Sequence, residues 1–128
     1  MPKNDRNKIL TRLKKITIIV ITADVIEFII SLSPKAADKI IRSLENLSEF
    51  GFSLPKTAYH RLWDSKYKLW ELITSFGKNE YRSLFFTVDK GKILIAHAIL
   101  KNTDRVPLRD IHISDKVYEE WIEMGGKL

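Results

Sequence analysis

At 128 residues, 45% of them hydrophobic and 30% charged, the chain is sized for one compact domain that buries a core without staples. It contains no cysteine, which excludes disulfides and cysteine-ligated zinc and fits a cytoplasmic protein. The net charge of +6 is unevenly spread, with six basic residues against one acidic in residues 1–15 and eleven against five in 56–109, while 16–55 and 110–128 are net acidic. Clustered Lys and Arg suit a polyanionic partner, because cations at phosphates release condensed counterions.

Residues 1–15 (MPKNDRNKILTRLKK) are polar and basic, and are expected to form a flexible extension or at most a short helix over Ile9 to Leu13. The remainder, 16–128, is expected to be a single domain. Ile16 to Leu32 is the one stretch apolar enough to suggest a membrane span, but Asp24 and Glu27 break it into runs too short for a bilayer. No small-residue cleavage pattern of a signal peptide follows it. It reads instead as a β-branched strand, Ile16 to Ile21, then a short helix with Asp24 and Glu27 in a capping-box-like start.

Ser33-Pro34 is a helix start, a serine cap followed by proline at the first helical position. Ala37, Ile40, Ile41, Leu44 and Leu47 then recur on one stripe until Gly51 stops the helix. A long connection follows, with a short strand suggested around His60 to Trp63. Strands are predicted over Lys68–Thr74, Tyr81–Val88 and Lys92–Leu100, joined by hairpin-like turns. Pro107 opens a final helix that ends at Gly125-Gly126. The fold class is therefore α+β, in the order β-α-α-β-β-β-α, with an antiparallel sheet carrying a helical hairpin and a C-terminal helix packed on one face.

The three histidines, His60, His97 and His112, show no metal-ligand spacing, and no glycine-rich phosphate loop is present. His112, Ser114 and Asp115 lie too close along one helix for a hydrolase triad. What remains is a set of cations on and around a sheet. Metal-free RNA cleavage needs protein groups that activate the 2′-hydroxyl, stabilise the phosphorane and protonate the leaving 5′-oxygen.

Three segments, Leu69-Trp-Glu-Leu-Ile73, Tyr81-Arg82-Ser-Leu-Phe-Phe86 and Ile93 to Pro107 (ILIAHAILKNTDRVP), occur in this order. In order and spacing the chain resembles the RelE/HigB superfamily of bacterial toxins, most of all its phage-derived HigB-like branch. Those proteins carry LWELR, then YR before hydrophobic residues, then a hydrophobic-LH-aromatic-KKT run and a TP before the last helix. The resemblance implies a RelE-like fold and a ribosome-dependent endoribonuclease, the toxin of a type II toxin–antitoxin pair. It implies no cofactor and no membrane. The implied partners are messenger RNA on the ribosome and a helix-turn-helix, HigA-like antitoxin that covers the basic face in a hetero-oligomer.

Carried onto this chain, the resemblance makes Arg82 a ligand of the scissile phosphate, and Lys101 and His97 the further catalytic candidates. Thr103 completes the KKT-like element. Lys66, Lys68, Lys78, Arg105 and Arg109 are candidate RNA-binding cations, and Tyr81, with Tyr67, a surface aromatic for base stacking. Each has a plainer reading: Arg82 pairs with Glu71 or Glu80 across the sheet, Lys101 blunts a strand end, and His97 is a hydrogen-bonded core histidine. Trp63 is a further stacking candidate, and Trp70 reads as core. The chain departs from the pattern at Ile73 and Asn102, where basic residues are expected. Those departures favour an alternative, a RelE-like module that binds RNA, ribosome or antitoxin without cutting. A third reading is a DNA-associated phage protein gripping phosphate through residues 1–15.

Overall fold

The first described element is helix α1 (Arg6–Lys14), longer than the short helix over Ile9 to Leu13 that was expected at most in a flexible extension; the computed structural model describes residues 5–102 and 105–126. Asp5 caps the helix by accepting from the Lys8 N–H at 3.2 Å. Ile9 and Leu13, one turn apart, are buried in the larger core. On the outer side Arg6 forks onto Glu27 at 2.6 and 2.9 Å, and Arg12 meets both Asp38 and Glu45. Its hydrogen bond holds the Asp38 carboxyl below the usual carboxylate range. A single apolar turn is too short to register as a periodic stripe, and the acidic partners lie far along the chain. Leu13→Ala is expected to cost about 2–5 kcal/mol, read as a lower denaturant midpoint; a free tail predicts no change.

Strand β1 (Ile19–Ile21) is shorter than expected, and Ile16 is buried at the joint before it. Helix α2 (Ala23–Ser31) is capped by Thr22, which accepts from the Val25 N–H at 3.3 Å. The expected capping pair is therefore corrected: Asp24 lies in the first turn and Glu27 serves Arg6. Helix α3 (Pro34–Phe50) starts as predicted, with Ser33 accepting from the Ala36 N–H, and its stripe is buried. It stops at Gly51, whose φ of 53° favours glycine. Among the described residues no helix is long and apolar enough to cross a membrane.

Strands β2 (Tyr59–Leu62), β3 (Leu69–Phe76), β4 (Asn79–Thr87) and β5 (Ile93–Leu100) precede helix α4 (Leu108–Glu123). The sheet order is β1-β5-β4-β3-β2. β2 through β5 form an antiparallel meander, but β1 runs parallel to β5, with Ile19 opposite Ile93. The sheet is thus mixed rather than antiparallel. Turn signals report only strands adjacent in sequence, whereas β1 is separated from its partner β5 by α2, α3 and the strands β2 to β4, and a parallel pair requires such a long crossover.

The helices also occupy both faces, not one. The first three cover Leu72, Phe85, Ile93 and Ile95, while α4 packs over Leu69, Leu84, Phe86 and Leu94. With both sides covered, β4 is buried continuously from Tyr81 to Phe86. A bulge against β5 sets Leu84 opposite His97 and Phe85 opposite Ile95, so Ala96 and His97 both fall on the α4 side.

Candidate functional site

Strand alternation and register assemble a polar chain beneath the α4 side of the sheet. His60 on β2 faces Glu71 on β3, and Arg82 on β4 stands one row along, opposite Ile73. His60 Nδ1 lies 3.2 Å from Glu71 Oε1. Arg82 donates through Nη1 to both Glu71 oxygens at 3.1 Å and through Nη2 to Glu80 at 2.8 Å. Glu71 and Arg82 are each only 3% exposed, whereas the His60 side chain is 52% exposed. The row therefore runs from a solvent-facing imidazole inward to a buried ion pair. A carboxylate bound through Nδ1 fixes the ring and leaves Nε2 to exchange a proton with a ligand.

In front of this row lies a cleft of about 340 Å³, bounded by His60, Trp63, Asp64, Glu71, Arg105 and Ile111. Arg105, exposed where the chain turns into α4, supplies positive charge at its rim. Polar atoms, an oriented histidine and a guanidinium thus converge on one concavity.

Of the sequence-predicted residues, Arg105 and Trp63 line this cleft, and Arg82 reaches it only through its hydrogen bonds to Glu71. Arg82, however, is held by two carboxylates rather than presented to solvent. His97 bonds Asp110 of α4 through Nε2 at 2.8 Å, and Ser114 donates to the Asp110 carbonyl. It pins the helix to the sheet, and Leu84 separates it from Glu71 in the same register row. Lys101 is half-buried just past β5, and its N–H donates to the Glu80 carbonyl. Lys66 and Lys68 are exposed at the start of β3, Lys78 is exposed in the turn at its far end, and Arg109 is exposed in the first turn of α4. The lysines are therefore spread over opposite ends of the sheet. Thr103 lies outside the described residues.

Tyr81 is corrected: it is buried on the helical-hairpin side, edge-on to Phe28, and offers no surface ring. Tyr67 is half-buried, packs its ring at a tilt against Tyr118 and donates its hydroxyl to Glu119. That bond, with added burial, pushes the Tyr67 phenol up to about 12. Its stabilising effect is complete below the ordinary tyrosine range and is lost as pH rises through about 12. An alkaline absorbance titration is expected to show one late tyrosine that is missing in Tyr67→Phe.

The departures from the expected basic pattern have local reasons. Asn102 accepts from the Glu80 N–H at 2.8 Å and donates to Asn79, tying the end of β5 to the start of β4. Ile73 packs half-buried beside Arg82. Sequence reasoning passed over His60, Glu71 as its partner, and Asp110. The signal for the first two is their opposition across β2 and β3, which needs the register and not the spacing. Among the described residues no three His, Asp or Glu side chains stand close enough to hold a metal ion.

A family model described as phage-derived protein Gp49-like (DUF891) matches residues 27–119, from the middle of α2 into α4. No curated protein and no solved structure gives a match. The matched span contains the whole cleft and its polar row, and the chain belongs to the phage-derived Gp49-like family.

Proposed function

We propose that the chain is a toxin of the RelE/HigB kind, an endoribonuclease that cuts messenger RNA on the ribosome. The observation that carries this reading is the oriented, solvent-facing His60 on buried Glu71, in a cleft that Arg105 also lines. Membership of a phage-derived family and the resemblance of the β3–β5 segments support it. In this mechanism Nε2 of His60 takes the proton of an RNA 2′-hydroxyl. The 2′-oxygen attacks the adjacent phosphorus, and Arg105 stabilises charge on the phosphorane. The 5′-oxygen leaves with a proton from water, and the upstream fragment ends in a 2′,3′-cyclic phosphate. Arg82 acts from behind, fixing Glu71 in place through hydrogen bonds to both of its carboxylate oxygens, instead of gripping phosphate itself. A helix-turn-helix antitoxin would silence the toxin by covering Arg105 and its neighbouring cations.

Induced expression in a bacterium, with 5′ ends mapped on translated messages, tests this reading. Growth arrest with new in-frame cuts is expected. Normal growth with intact messages from well-expressed protein would favour a second reading, a binding module of the same fold. The clamping of Arg82 between Glu71 and Glu80 is the observation in its favour. That reading predicts that Ile73→Arg with Asn102→Lys creates cutting where the native chain has none.

A further inference from the structure

Trp63 is 78% exposed, more than any other large hydrophobic side chain among the described residues. The Arg61 guanidinium lies over its ring, 4.4 Å from the centroid, and 5.8 Å from that of Trp70. Arg61 Nε is buried without a hydrogen-bond partner among the described residues. A guanidinium so placed is held by its flat face, through cation–π attraction, and stiffens the indole it covers. With one face backed by Arg61 and most of its surface exposed, Trp63 presents a planar platform over which no other ring or cation lies among the described residues.

The platform stands between two concavities. On one side is the cleft of His60, Glu71 and Arg105; on the other is a groove of about 530 Å³ lined by Phe52, Lys56, Tyr59, Arg61, Trp63 and Trp70. His60, Arg61 and Trp63 line both. Alternation on β2 explains the sharing, because His60 points to one face of the sheet and its neighbours Tyr59 and Arg61 to the other, at an exposed edge. The charged residues of the groove are Lys56 and Arg61, with no carboxylate among its lining.

Aromatic rings and cations without acids in the groove match an unpaired nucleotide, whose base offers a π-face and whose flanking phosphates are anionic. We infer that Trp63, backed by Arg61, is a base-stacking platform for single-stranded RNA threaded from this groove into the cleft. It holds one base adjacent to the scissile phosphate and so sets the position of cutting. The inference rests on the RNA-cleaving reading for its biological setting, although binding itself requires no chemistry.

The test uses the full chain and a short, uncleavable 2′-O-methyl RNA strand. Trp63→Ala is expected to weaken binding about ten- to hundredfold, with Trp63→Phe retaining most of the affinity. Melting curves should stay unchanged, since the side chain is exposed. A single abasic nucleotide at the stacked position is expected to reproduce the loss in the wild type and add nothing in Trp63→Ala. Equal binding by wild type and Trp63→Ala would overturn the inference while leaving the cleavage reading intact. So would failure of the wild type to bind the strand, or tighter capture of a polyglutamate peptide. Conversely, Trp63-dependent binding without message cutting in cells would support the platform and remove the nuclease.

Discussion

His60→Ala is expected to lower message cleavage by about 10²–10⁴-fold while leaving the fold intact. Its side chain is half solvent-exposed and makes its one described hydrogen bond to Glu71, so truncation removes little packing. Glu71 keeps both contacts from Arg82 in that variant. The loss should therefore appear in the rate of cutting at matched expression, with the thermal midpoint almost unmoved. His97→Ala should behave in the opposite way, weakening the attachment of α4 through Asp110 and leaving residual cutting in whatever protein stays folded. Undiminished cutting by His60→Ala would remove the imidazole from the chemistry.

The second large effect is on stability. Arg82→Ala strips Glu71 of its buried counterion, and breaking one side of a buried pair costs about 3–5 kcal/mol. Urea unfolding of the variant should show this as a reduced midpoint with little change in slope. Pairing it with Glu71→Gln should recover much of the loss, because the stranded charge is gone. An Arg82 that served only as a solvated phosphate ligand would behave differently: its removal would abolish cutting with stability changed by less than about 0.5 kcal/mol. The two roles are therefore separable in one pair of measurements.

How far the sequence carried depended on how local each signal was. Ser33-Pro34, the apolar stripe of α3, Gly51 and the turns of the β3–β5 meander are written in neighbouring residues, and all are present. The docking of α1 was not legible, since Ile9 and Leu13 find their core through tertiary packing, and Arg6 and Arg12 find acids on α2 and α3. The parallel pairing of β1 and the second covered face were hidden for the same reason. At the site, the sequence singled out Arg82 and even its two acidic partners, but not which face they occupy. Tyr81, beside Arg82 in sequence, points the other way because a strand alternates faces with every residue. The His60–Glu71 pair depends on a register between two strands joined by a long turn, and no spacing rule encodes that register.

In the proposed function this cleft cleaves RNA by transesterification, with the substrate's own 2′-oxygen as nucleophile. The most direct measurement is the chemistry of the fragment ends produced from a translated message in a bacterial extract supplemented with the purified chain. A 2′,3′-cyclic phosphate on the upstream fragment and a 5′-hydroxyl on the downstream one, both absent with His60→Ala, is the predicted result. A 3′-hydroxyl facing a 5′-phosphate, or fragments unchanged by His60→Ala, would contradict it.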